Sequence, residues 1–306
     1  MSNKLKQALI LGGLGLVLTR LGLPLWHWQQ RPRRWVQFKG QVALITGASS
    51  GIGKALAEAL AAAGCHLVLA ARRGEQLERL SQKLEQAHGI HALVVPTDVS
   101  DPEQVQALVD KALNNFGQID MLFNNAGISS FAYFHQEELA QMERLMAVNY
   151  WGVVYCTQAV LPGMLARRQG LIVNVSSVAG KLAQPGIAHY SASKHALNGL
   201  SDALRMELAP HEVRVLLLCP TSTQTEIVKN AAQQKAVNFN PERYFGMSAQ
   251  RVARETLHAI LDRKTEHVLG AAERLGIAGR HLFPRAFDAV LGRAARYFLR
   301  ESDKSP

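Results

Sequence analysis

Three observations predict an α/β fold built on a single doubly wound parallel sheet. Short, almost unbroken apolar runs recur along the middle of the chain, as strands buried on both faces do. Helical segments separate these runs, and the first of them leads straight into a glycine-rich turn that opens a helix. With 306 residues, 48% of them hydrophobic, the chain can fill one large core, and the order of its motifs favours one domain over two.

Charge divides the chain into three parts. The formal charge is +10; residues 1–40 hold seven Lys and Arg and no acid, residues 271–306 hold a net +3, and the middle is neutral. Nucleic-acid binding would need a basic surface on the folded domain itself, so anionic membrane lipid is the better partner for these ends. We read 1–38 as a hydrophobic, basic anchor, 39–270 as the central domain and 271–306 as a basic amphipathic extension. In the first part Ala8–Leu18 is apolar, as is Leu21–Trp26, and joined across Arg20 they approach the roughly 20 residues a bilayer requires. Trp26, Trp28 and Trp35 with Arg31, Arg33 and Arg34 form an interfacial belt, which puts the central domain on the cytoplasmic side. A leader packed on the protein, leaving the whole chain cytoplasmic, is the alternative. In the last part, Pro284–Arg300 reads as a helix with proline in its first turn and an apolar stripe at Phe287, Val290, Ala294 and Phe298. It can lie on a membrane or dock on protein. Cys65, Cys156 and Cys219 lie far apart, which predicts neither disulfides nor a metal site.

The glycine turn is Gly47, Ala48, Ser49, Ser50, Gly51, Ile52 and Gly53, between a strand at Gln41–Thr46 and a helix running to about Ala63. Such a turn lets backbone approach a pyrophosphate, whose charge the free N–H groups of the helix start favour. A second strand, His66–Ala71, ends at Arg72 and Arg73, where an NAD enzyme would carry a carboxylate for the ribose hydroxyls. A guanidinium there suits a phosphate, so NADP is the expected cofactor. Beyond the strand Ala92–Val95, Asp98 beside Val99 either accepts from the adenine amino group or caps the helix that starts near Asp101. The strand Met121–Phe123 ends in Asn124, Asn125, Ala126 and Gly127, a turn that serves either to tie strands together or to meet the cofactor.

Further on, the strand Leu171–Val175 ends in Ser176 and Ser177, and a helical segment carries Tyr190 and Lys194 four residues apart. That spacing puts both side chains on one helix face, where an ammonium favours the ionised phenol. A tyrosine so tuned exchanges protons usefully near neutral pH. Aromatic Phe131, Tyr133 and Phe134 follow the fourth-strand turn and read either as core or as the wall of an apolar pocket.

Taken together, Thr46–Gly53, Asn124–Gly127, Asn149, Ser177, Tyr190 and Lys194 stand in the order and spacing of the short-chain dehydrogenase/reductase family, which the chain resembles from about Lys39 to Gly270. The resemblance implies a catalytic tetrad: Ser177 binds the substrate oxygen, Tyr190 transfers the proton, and Lys194 holds the nicotinamide ribose and tunes the tyrosine. Asn149 would position a water linked to the lysine. It implies NADP(H)-dependent interconversion of a carbonyl and an alcohol, with steroid-, retinoid- or lipid-like ketones as substrates of similar anchored members, and dimers or tetramers built on the long helices. A non-catalytic NADP-binding scaffold at the membrane is the alternative. One motif departs from the family's pattern. After the strand Arg214–Leu218 the usual Pro-Gly is Pro220-Thr221, which restricts the backbone beside Thr225, the position that meets the nicotinamide carboxamide. The stretch from Glu226 to Met247 would cover the substrate.

Overall fold

The structure, a computed structural model, describes residues 38–223, 246–290 and 292. Outside them lie the anchor reading for residues 1–37, Thr225, nearly all of the covering stretch 226–247, and all but residue 292 of the last helix beyond Val290.

Strands β1 (Val42–Thr46), β2 (His66–Ala71) and β3 (Ala92–Pro96) alternate with helices α1 (Gly51–Ala62), α2 (Gly74–His88) and α3 (Pro102–Phe116). Then come β4 (Met121–Asn124), α4 (Leu139–Met146), α5 (Gly152–Arg167), β5 (Gly170–Val175), α6 (Ala188–Leu208), β6 (Val213–Cys219), α7 (Ala249–Leu261), β7 (Glu266–Val268) and α8 (Ala271–Leu282). All seven strands are parallel, in the order β3-β2-β1-β4-β5-β6-β7. This is the doubly wound sheet the apolar runs predict, and the runs are apolar throughout because both sheet faces are covered: all five residues of β1 are buried. Phe123, Leu44 and Ile45 are fully enclosed, each worth roughly 1.5–3 kcal/mol on burial.

Strand order reverses between β1 and β4, so the connections leaving their carboxyl ends diverge and open a crevice there. Thr46 locks that edge. Its Oγ1 donates to Phe123 O at 3.2 Å and accepts from the backbone N–H groups of Asn125 and Ala126, both at 3.0 Å. One hydroxyl thus fixes the end of β1 against the turn after β4.

Two elements are not legible in the sequence. Strand β7 has three half-buried residues that include Glu266 and His267, too short and too polar for an apolar run. Between α4 and α5 the backbone widens to a π-helical turn at Ala147–Trp151, which carries Asn149. At the C-terminus, α8 breaks at Phe283 and a new helix begins at Pro284, as proline in a first helical turn predicts. Among the described residues no helix is long and apolar enough to cross a membrane.

Candidate active site

The crevice at the β1–β4 switch collects the sequence-predicted residues. Gly47 has φ +66°, and a Cβ on it would come within 2.9 Å of Ala126 Cα. A Cβ on Gly53 would come within 2.3 Å of the Gly47 carbonyl. Both positions therefore need glycine for the turn to close against the β4 turn. Helix α1 begins with no side chain capping its free N–H groups at Ser50, which leaves them available to an anion. Ile52 packs its side chain toward Val175 and Leu218, holding the start of α1 onto β5 and β6.

Arg73 reaches back across this turn. Its guanidinium donates to Ser49 Oγ at 3.0 Å and to Ser50 Oγ at 2.9 Å, so the charge predicted to meet a ribose phosphate stands over the glycine turn. Arg72 is exposed next to it. Asp98 is not a helix cap: Asp101 takes that role, accepting from the N–H groups of Glu103 and Gln104. Asp98 instead accepts from Ser100 N at 3.0 Å and Ser100 Oγ at 2.7 Å. Burial raises its pKa, but those bonds and the charges of Arg72 and Arg144 prevail, and the net shift is downward. Val99 is buried against Gly152 at the start of α5.

Both asparagines after β4 are structural ties. Asn124 Nδ2 donates to Asn174 Oδ1 and Thr157 Oγ1, and Asn125 Nδ2 donates to Thr46 O at 2.9 Å.

The four residues of the expected tetrad converge from three places: the π-turn, the turn after β5 and helix α6. Asn149 Nδ2 donates to Ile128 O and to Ser193 Oγ, while its Oδ1 accepts from Ile128 N, fastening the exit of β4 to α6. A Cβ on Gly127 would lie 3.3 Å from Asn149 Oδ1 and 3.6 Å from Lys194 Nζ, so these groups share one small space in front of Gly127. Ser177 Oγ accepts from Ala179 N at 3.1 Å and faces Tyr190. Lys194 donates to Val175 O at 3.0 Å, with its Nζ 5.9 Å from the centre of the Tyr190 ring. The shared helix face expected of Tyr190 and Lys194 is thus present.

The electrostatics differ from the sequence expectation. Burial raises the Tyr190 pKa and outweighs the hydrogen bond from Ser177, so the protein by itself holds the phenol protonated. Burial also lowers the Lys194 pKa to about 8, within range of titration near neutral pH. Two low-dielectric effects that a helix spacing cannot reveal therefore oppose the simple ammonium–phenolate picture.

Several polar residues behind the site are missed by the sequence motifs. Ser176 Oγ donates to Asn198 Oδ1 at 2.6 Å, Asn198 Nδ2 donates to Gly180 O at 2.7 Å, and Asn174 Nδ2 donates to Ser201 Oγ at 2.9 Å. Together they pin α6 to the Ser177 turn. A signal for them exists in the chain: Tyr190, Lys194, Asn198 and Ser201 form a polar stripe at helical spacing on a helix that packs against the sheet. Of the aromatics after β4, Phe131 and Tyr133 are half-buried and Phe134 is exposed. Phe134 is 67% exposed and stacks on His189, the neighbour of Tyr190.

The departure at Thr221 is accommodated. Thr221 is not among the described residues of positive φ, so its backbone needs no glycine, and the carbonyl of buried Pro220 accepts from Val178 N at 3.0 Å, beside Ser177.

Comparison with known proteins identifies the family. The sequence profile described as short chain dehydrogenase matches residues 41–236. A dehydrogenase/reductase SDR family protein 7-like of Anopheles gambiae is 37% identical over 290 residues, covering 92% of each chain. A short-chain dehydrogenase/reductase from Burkholderia phymatum, solved in complex with NAD, superposes with TM-score 0.74 at 34% identity, over 80% of this chain and 94% of that one. A short-chain dehydrogenase from Sphingobium yanoikuyae, solved in complex with NADPH, gives TM-score 0.70 at 30% identity, over 80% and 96%. With its sheet order, glycine turn and Ser177, Tyr190 and Lys194 in place, the chain belongs to the short-chain dehydrogenase/reductase family and is an oxidoreductase.

Proposed function

We propose that the chain is an NADP(H)-dependent reductase of an apolar carbonyl compound, with Tyr190 as the proton donor and, in the reverse direction, the acceptor. The observation that carries this reading is the convergence of Ser177, Tyr190, Lys194 and Asn149 beside a glycine turn over which Arg73 stands. The site suits a dinucleotide: glycines at 47 and 53 let the turn close against the β4 turn, and the start of α1 has no side chain capping its N–H groups. Gly47, Ser49, Ser50, Gly51, Ile52 and Gly53 would hold the pyrophosphate, Arg72 and Arg73 the ribose phosphate, and Asp98, Val99, Asn125, Ala126 and Gly127 the adenosine side and the middle of the molecule.

When bound, the nicotinamide supplies the hydride. Ser177 and Tyr190 hold the carbonyl oxygen, and the phenol, kept protonated by its burial, is in the right state to give up its proton as the alkoxide develops. Lys194 then stabilises the phenolate left behind. Phe134, exposed beside His189, supports an apolar entrance to the site. Assayed against a panel of water-soluble and lipidic carbonyls, the full chain is expected to oxidise NADPH in preference to NADH and to favour the lipidic compounds. Activity confined to small polar ketones would defeat the substrate class, and tight NADPH binding with no turnover on any carbonyl would favour a scaffold instead.

The reading extends to the membrane. The apolar and basic residues 1–36 support an anchor that leaves the catalytic domain facing the cytoplasm, and Leu275, Leu282, Phe283 and Val290, all exposed among arginines at the C-terminal end, support contact with an anionic surface. Exposed Trp151 and Met206, at the start of α5 and on α6, support pairing of subunits through those helices, as a homodimer or homotetramer. Deleting residues 1–36 is expected to move the protein from the membrane fraction to the supernatant while turnover is kept; retention on the membrane would reject the anchor.

A further inference from the structure

We propose that Glu273, in the first turn of α8, is a positioning residue for the nicotinamide end of the site, acting through Thr221. The inference rests on the oxidoreductase reading above and concerns the one motif in which this chain departs from its family.

Thr221 Oγ1 donates to Glu273 Oε1 at 2.5 Å. Glu273 reaches that place by folding back over Gly270, which has φ +106° and on which any Cβ would overlap the Glu273 carboxylate. A left-handed glycine at 270, a glutamate three residues on and a threonine at 221 therefore form one interlocking set. The first turn of a helix is also a place where a carboxylate is electrostatically favoured.

The segment held this way matters because of where it lies. Pro220–Thr223 leaves the carboxyl end of β6, beside Ser177. Backbone bonds grip it twice: Val178 N donates to Pro220 O at 3.0 Å, and Met247 N donates to Ser222 O at 2.8 Å. Thr223 Oγ1 closes a local turn onto Thr221 O at 2.9 Å, and Thr223 pairs with Met247 in a parallel bridge. None of those contacts depends on the side chain at 221. Among the described contacts of that side chain, the bond to Glu273 ties the segment to α8, and it exists because glycine has been replaced by a donor whose acceptor sits on the C-terminal extension. A hydrogen bond to a charged acceptor is stronger and more directional than one between neutral groups, so it fixes the side chain and, through it, the backbone at 221. The C-terminal extension thereby sets the backbone that meets the nicotinamide end of the cofactor, a task the family usually leaves to a bare glycine turn.

The test uses the full chain and the variants Glu273→Ala, Thr221→Val, their double, and the conservative pair Glu273→Gln and Thr221→Ser. The readouts are the NADPH dissociation constant by fluorescence, KM and kcat for reduction, and the melting temperature. Glu273→Ala and Thr221→Val are each expected to weaken NADPH binding and raise its KM by about fivefold, with kcat changed less than about twofold. The double variant should be no worse than either single one, since both remove the same bond. Glu273→Gln and Thr221→Ser, which keep acceptor and donor, should restore most of the affinity. A lowered melting temperature with unchanged NADPH affinity in both single variants, or additive losses in the double, overturns the proposal. If Glu273→Ala fails to fold, Thr221→Val and its serine counterpart decide. A wild-type chain that neither binds NADPH nor turns over would overturn the oxidoreductase reading itself, whereas an active wild type matched by its variants overturns only the role of Glu273.

Discussion

Replacing Tyr190 by Phe will lower kcat for carbonyl reduction by about 10³-fold and leave NADPH affinity within about twofold. The size follows from what is removed. The ring, its contact with Lys194 and the packing of α6 should all survive the substitution, but the proton that the proposed mechanism draws from Tyr190 is lost. Cofactor affinity should hold because Arg73, the glycine turn and Lys194 are untouched. Steady-state assays together with NADPH fluorescence titration check both halves; a kcat within tenfold of wild type, or a matching loss of NADPH affinity, would remove Tyr190 from the proton-transfer step. The wild-type enzyme carries a pH signature of the same chemistry. Tyr190 stays protonated through neutral pH because its pKa is raised, so the acid form is in place, while Lys194 loses its proton as pH rises through about 8. Reduction should therefore slow above that pH, as the charge that stabilises the phenolate left on Tyr190 disappears. A reduction rate that climbs with pH would contradict the sign of both shifts.

Much of this arrangement could be read in the chain itself because it is local. Buried parallel strands such as Val42–Thr46 and Gly170–Val175 are apolar without alternation, and a glycine turn set between strand and helix is the form a phosphate-binding backbone takes. Tyr190 and Lys194 share a face simply because they are four residues apart on α6. What remained hidden depends on neighbours distant in sequence. The π-turn that presents Asn149 packs on α6, where Asn149 Nδ2 donates to Ser193 Oγ, and no residue within Ala147–Trp151 announces it. The opposed shifts of Tyr190 and Lys194 arise from burial under the rest of the molecule, which spacing cannot convey. Thr221 is a loss of freedom in the sequence and a gain of a contact in the fold, because its partner, Glu273, lies 52 positions away. The same distinction separates the two residues after β2: the sequence offers Arg72 and Arg73 equally, and only the fold assigns the serine hydroxyls to Arg73.

That assignment leads to the second large effect. Arg73→Ala should lower kcat/KM with NADPH by about 30-fold and change that with NADH by less than about threefold. A ribose phosphate brought to the end of β2 would exchange hydrogen bonds with a guanidinium that Ser49 and Ser50 already hold over the glycine turn. Little side-chain entropy is then left to lose on binding. Charge-assisted bonds of this kind are worth about 2 kcal/mol, which converts to the stated factor. NADH carries no phosphate there and meets no new repulsion when the arginine is removed, so its constants should barely move. Salt offers an independent check: KM for NADPH should rise with ionic strength in the wild type and lose most of that dependence in Arg73→Ala, since exposed charges are screened within about 10 Å at 0.1 M. Arg72→Ala supplies the contrast. Arg72 acts on Asp98 through its charge, and the described residues show it no hydroxyl partner on the turn, so its loss should cost NADPH less than the loss of Arg73. Equal losses with both cofactors in Arg73→Ala would mean that the residue holds the glycine turn together and has no part in telling the two nucleotides apart.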